Sequence, residues 1–170
     1  MRAQTHKNKS QEWTVCLEGT PMGSLLLTFT ANGLVALDFA GEGCKIPSGS
    51  PPPPNLAALI ESVKKELAKY FSGQPADFNA LPLDLQGTPF QQKVWRELRR
   101  IPRGRTVSYK ELARRAGSPR AFRAAGQANG RNPIPIIVPC HRVIAADGSL
   151  GGYSSGLDKK RWLLQHESAI

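Results

Sequence analysis

Residues 108–130 read "SYKELARRAGSPRAFRAAGQANG", and this stretch decides the fold. Ser108 can cap a short helix carrying Tyr109, Leu112 and Ala113. Gly117-Ser118-Pro119 is a turn signal, and an Ala-rich helix is predicted from about Arg120 to about Asn129. Two short helices joined by a Gly-containing turn make a helix-turn-helix signature. On the second helix, Ala124 and Gly126 are small enough to let backbone approach a groove. Arg120 and Arg123 can reach phosphates or bases. An ordinary helical hairpin is the competing reading.

Charge argues for the first reading. Residues 88–131 hold 12 Lys/Arg against two acids, Glu97 and Glu111, so the whole net charge of +10 falls in this one segment. Focused positive charge is the footprint of a polyanion partner. A solvated basic face is the alternative. No apolar run approaches the roughly 18 residues needed to span a membrane. The polar start, "MRAQTHKNKSQEW", lacks the apolar core of a signal peptide, so a cytoplasmic protein is expected. Cys16, Cys44 and Cys140 are odd in number and far apart, which predicts free thiols.

Upstream, "TPFQQKVWRELRRI" (88–101) is predicted to be a helix capped by Thr88, with Pro89 at its first position. Phe90, Val94, Trp95, Leu98 and Ile101 form its inward stripe. "NALPLDLQGTPF" reads as a connection between an N-terminal α/β domain (1–86) and a DNA-binding and active-site domain (87–170). The first of these opens on a basic tail over 1–11. Two strands follow, "EWTVCLE" and "GSLLLTFT", and then a hairpin at Asn32-Gly33. A Pro-rich loop precedes a helix capped by Asn55, whose apolar face is Leu56, Leu59, Ile60, Val63, Leu67 and Tyr70 or Phe71.

Downstream, "NPIPIIVPCHRVIAADGSLGGYSSG" (132–156) is too rich in Pro and Gly for a helix. It reads as a strand running into Cys140, a second short strand at Arg142–Ile144, and a flexible loop. "LDKKRWLLQHE" closes the chain as a helix. A thiol beside an imidazole and a guanidinium admits three readings. Zinc needs about four Cys/His-type ligands, and no second local pair exists, so no metal site is expected. A buried inert cysteine is common. A nucleophile is favoured by His141, Arg142 and the nearby positive charge, which lower thiol pKa. Neighbouring side chains diverge on an extended chain, so a Cys140–His141 contact calls for a bend or a bridging water. Glu167 is the candidate carboxylate to hold His141.

"PCHRV", preceded by "NPIPIIV" and followed by "GGYSSGLDKKRWLLQHE", resembles the O6-alkylguanine-DNA alkyltransferases, the methylated-DNA–protein-cysteine methyltransferases. The likeness runs from about Gly87 to Glu167. It implies an RNase H-like N-terminal α/β fold and a C-terminal, mainly α, winged-helix-like domain. Its partner would be double-stranded DNA containing O6-alkylguanine, with O4-alkylthymine a lesser substrate. The resemblance makes Cys140 the acceptor thiolate in a single-turnover SN2 displacement. His141 takes the thiol proton through a water, and Glu167 stands behind it. Asn132 holds the turn between recognition helix and active site. Tyr109 donates to the departing guanine, Ser154 contacts O6, and Lys160 orients the active-site loop. Carbonyls of Cys140 and Val143 accept from the guanine amino group, and Pro135 and Tyr153 wall the alkyl pocket. Arg123 enters the stack where the base leaves. No cofactor is implied, and the protein is expected to act as a monomer, with cooperative binding along DNA open. Two rivals remain: a DNA-binding module that flags damage without chemistry, and a cysteine hydrolase using Cys140 and His141.

Overall fold

The computed structural model describes residues 11–41, 44 and 51–170. The expected basic tail and most of the Pro-rich loop lie outside these residues.

The N-terminal domain is built on β1 (Trp13–Thr20), β2 (Gly23–Thr30) and β3 (Gly33–Gly41), an antiparallel meander in that order. Side chains alternate across a strand, and β2 accordingly buries Leu25, Leu27 and Phe29 completely. The hairpin falls where expected, but its loop is Ala31-Asn32, with Thr30 paired to Gly33. Gly33 is demanded by a neighbour: at φ +150°, a Cβ here would lie 2.5 Å from the Pro82 carbonyl oxygen. Helix α1 (Pro54–Phe71) sends Leu56, Ile60, Val63, Leu67 and Tyr70 into the core. Asn55 is not its cap. Pro53 holds that position and Pro54 is the first helical residue, where the missing N–H is an orphan anyway.

The connecting segment adds itself to the sheet. Leu34 N–H donates to Pro82 O at 3.1 Å and Asp84 N–H donates to Leu34 O at 2.8 Å. Further along β3, Leu37 N–H donates to Pro133 O at 2.9 Å, which joins the sheet to the chain leading into Cys140. Cys16 and Cys44 form a disulfide with Cα atoms 6.0 Å apart, which corrects the expectation of three free thiols. The pairing spans 28 residues of sequence, and no local spacing signals it.

The C-terminal domain comprises α2 (Pro89–Arg99), β4 (Val107–Ser108), α3 (Tyr109–Arg115), α4 (Phe122–Gly130), β5 (Val143–Ile144) and α5 (Leu157–His166). Thr88 caps α2 in a full capping box with Gln91, and Ser108 caps α3 by accepting from Glu111 N–H. Helices α2, α3 and α4 pack together. Trp95 is buried between them and donates from Nε1 to Ala128 O at 2.8 Å. Arg120 lies in the turn before α4, not on the helix as expected.

The approach to Cys140 is not a strand. Ile137 N–H donates to Pro135 O across Ile136, whose φ is +72°. This is the rare γ-turn, in a region that costs a non-glycine residue about 1–3 kcal/mol. Cys140 N–H then donates to Val138 O across Pro139 at φ −80°, ψ 67°, the common inverse γ-turn. Prolines 133, 135 and 139 cannot donate to a ladder, so the β-branched run between them folds into turns.

Candidate active site

Cys140, His141 and Arg142 form one turn of 3-10 helix. The turn supplies the bend that separates the three side chains. Cys140, the free cysteine among the described residues, is 3% exposed and lies in the wall of a cleft. His141 and Arg142 instead both reach Glu167, just past the end of α5.

Glu167 is 4% exposed and surrounded by donors. His141 Nε2 lies 2.9 Å from Oε1. Arg142 donates from Nε to Oε2 at 2.8 Å and from Nη2 to Oε1 at 2.9 Å, a bidentate pair, and from Nη1 to Ile101 O at 2.5 Å. Burial works to raise the Glu167 pKa, but the hydrogen bonds from His141 and Arg142 outweigh it and hold the group well below the usual carboxylate range. An ionised Glu167 only accepts, so His141 Nε2 carries the proton. Nδ1 is then the bare base, and it has no hydrogen-bond partner among the described residues. Burial lowers the His141 pKa against the opposing pull of Glu167, which favours neutral imidazole.

Around the thiol, burial raises the Cys140 pKa, while the Asn132 amide, the Tyr153 hydroxyl and the Lys160 charge pull it back down. His141 makes no hydrogen bond to Cys140. Asn132 Nδ2 donates to Val138 O at 2.7 Å, and Asn132 Oδ1 accepts from Ile134 N–H at 3.1 Å, so Asn132 braces the turn into the cysteine. Lys160 is fully buried and its ammonium donates to three carbonyls: Val143 at 2.6 Å, Leu150, and Gly152 at 3.4 Å. Desolvation brings its pKa down to about 8, with Cys140 opposing. Tyr109 Oη donates to the same Gly152 carbonyl at 3.4 Å. Gly151 lets the loop approach: a Cβ there would meet Tyr109 Oη at 3.1 Å.

The cleft, about 560 Å³, is lined by Cys140, Tyr109, Tyr153, Ser154 and, from α4, Arg123 and Gly126. Arg123 is exposed and Ala124 stands beside it on the open face. One expected pocket residue is placed differently, and two expected acceptor carbonyls already have a donor within the chain. Pro135 is buried in the turn and does not line the cleft. Val143 is buried in β5, where its carbonyl accepts from Lys160. The Cys140 carbonyl accepts from Asn129 Nδ2 at 3.3 Å. Sequence reasoning missed Asn129, Tyr70, whose hydroxyl donates to Glu167, and the clamp that Arg142 makes on Glu167. For Arg142 the signal was its place beside Cys140 and His141; for the other two there was none.

Among the described residues no three His, Cys, Asp or Glu come together as a metal site. Fold and site together define a two-domain α/β protein in which a helix-turn-helix flanks a cleft holding a thiol, with a carboxylate-backed imidazole behind it. Residues 17–85 match the family profile described as 6-O-methylguanine DNA methyltransferase, ribonuclease-like domain, and residues 89–169 match its DNA binding domain. A methylated-DNA–protein-cysteine methyltransferase of Methanosarcina barkeri is 47% identical over 148 residues, covering 87% of this chain and 92% of the relative. One from Mycobacterium leprae is 47% identical over 148 residues, 87% of this chain and 88% of its own. The Mycobacterium tuberculosis OGT structure solved in complex with DNA superposes with a TM-score of 0.77 at 42% identity, covering 91% of both chains. The chain belongs to the 6-O-methylguanine DNA methyltransferase family.

Proposed function

We propose that this protein repairs DNA by moving the alkyl group of O6-alkylguanine onto Cys140. The observation that carries the reading is a buried thiol in a cleft edged by the second helix of a helix-turn-helix, with a base-form imidazole behind it. The alkyl carbon is hidden in a duplex, so the nucleotide must leave the stack, at a cost of a few kcal/mol. Arg123 fills the space it leaves, and Ala124 and Gly126 let α4 lie close in the minor groove. Cys140 gives its proton through a water to His141 Nδ1, and Glu167 holds the resulting imidazolium. The thiolate sulfur bonds to the alkyl carbon as the carbon–O6 bond breaks; the departing guanine accepts a hydrogen bond from Tyr109, and Ser154 contacts O6. Lys160 and Asn132 keep the loop and turn in place. The product is a thioether with no leaving group, so each molecule acts once. The same reading has the protein act as a monomer, in the cytoplasm. The boundary near residues 86 and 87 divides a supporting domain from the reacting one.

The test is to incubate the protein with duplex DNA carrying O6-methylguanine and to weigh the peptide that contains Cys140. A gain of one methyl on that cysteine is expected. Cys140→Ala keeps DNA binding and loses transfer. Tight binding to the lesion with an unmodified Cys140 would instead identify a damage-flagging module.

A further inference from the structure

Tyr70 sits in the last turn of α1, in the other domain and 97 residues from Glu167, yet its hydroxyl donates to Glu167 Oε1 at 2.8 Å. That same oxygen is met by His141 Nε2 at 2.9 Å and accepts from Arg142 Nη2 at 2.9 Å. The tyrosine is held from several sides. Phe78 and His166 pack on its ring, at 5.6 and 5.1 Å between centroids. The Arg103 guanidinium lies 5.5 Å from the ring centre, and Arg103 donates to the Gln74 and His166 carbonyls. His166 Nε2 lies 2.6 Å from the Tyr70 carbonyl oxygen. The hydroxyl is thus fixed on the carboxylate, with 2% of the residue exposed.

We propose that Tyr70 is a positioning residue for alkyl transfer: its hydroxyl limits how strongly Glu167 draws on the His141 proton, and so makes the N-terminal domain part of the reaction. The proposal rests on the relay described above. Three donors share Oε1, and each one stabilises the carboxylate and weakens its attraction for imidazolium. His141 must be neutral to accept the thiol proton, so a Glu167 relieved of one donor would hold the ring protonated at higher pH. Tyr70 is a constant donor, because burial and then Glu167 push its own pKa far up. The other charged or titratable groups facing the pair are Arg142 and Cys140 on the same turn, Lys160 and His166 on α5, Arg103 after α2, and Tyr153. None of them is altered by Tyr70→Phe, which keeps the ring and its packing.

The experiment measures the single-turnover rate of methyl transfer from a duplex carrying O6-methylguanine, with protein saturating, from about pH 5 to about pH 9. For Tyr70→Phe the midpoint of the acid limb is expected to rise by about 0.5–1 pH unit, the equivalent of one net hydrogen bond. Rates on that limb fall roughly 3–10-fold, while the plateau above it and DNA affinity hold. Arg99→Ala loosens the same joint away from Tyr70, where Arg99 donates to the Phe78 and Asn79 carbonyls at 3.2 Å; it should lower the Tm and leave the limb in place. A Tyr70→Phe limb that superimposes on the unsubstituted one, or moves to lower pH, overturns the proposal. So does an equal shift in Arg99→Ala. Absence of transfer by the unsubstituted protein is a separate result, and it overturns the alkyl-transfer reading itself.

Discussion

Glu167 shows how much one residue can carry. It accepts from Tyr70, His141 and Arg142, and a buried carboxylate with that many donors is stable only while it is ionised. Its pKa is depressed in the folded state, so its contribution to stability is complete above the unfolded value of about 4.3 and is lost as pH falls below it. His141 works in the same direction from about pH 6.5 downward, because burial disfavours its charged form. Glu167→Gln leaves the Arg142 guanidinium without a counter-charge in a largely buried site. A loss of about 3–5 kcal/mol at neutral pH is expected in denaturant titration. The variant should also show a shallower fall in Tm below about pH 4.3 than the unsubstituted protein. Parallel acid profiles for the two proteins would mean that Glu167 is not the linked group.

At the scale of the elements, the helices were the legible part. Thr88 and Pro89 announce the start of α2, and Ser108 announces α3, because caps are short-range devices written in adjacent residues. The run into Cys140 was not legible. Ile136, Ile137 and Val138 look like a strand by residue type, and it is the tertiary bond from Leu37 to Pro133, with Asn132 bracing Val138, that holds them in turns. Helix α4 presents Arg123 with no acidic partner among the described residues, its guanidinium 6.0 Å from the Phe122 ring centre. Nothing buried depends on it, so Arg123→Ala should change stability by less than about 0.5 kcal/mol. Transfer from duplex DNA should fall about tenfold or more, since extrusion of the base loses an inserted side chain worth a kcal/mol or two. Transfer from a free O6-alkylguanine base, which needs no extrusion, should be unchanged. Equal losses on both substrates would place Arg123 in the chemistry rather than in base extrusion.

Across the whole molecule, the two domains could be told apart in the sequence by composition, but the joint between them could not. The spacing leaves Tyr70 or Phe71 to complete the apolar face of α1, and the fold buries Tyr70; that its hydroxyl ends on Glu167 depends on a contact no local pattern encodes. The charge distribution, by contrast, needs no fold to be read, and the fold shows which cations are available. Within the basic segment Glu111 pairs with Arg114 and Arg115, and Glu97 pairs with Arg100. Lys110, Arg120, Arg123 and Arg131 are exposed and have no acidic partner among the described residues, and they lie on or beside α3 and α4. If these four meet phosphates, log Kd should rise with log salt with a slope of about 3.6. Affinity for duplex should then fall about 100-fold between roughly 50 and 200 mM salt, nearly independent of sequence. Each of Lys110→Ala and Arg131→Ala should reduce that slope by about one without changing the rate of transfer at saturation. A slope near zero in a fluorescence-anisotropy titration would show that the concentrated charge is a solvated face, and that the duplex is held by contacts other than these.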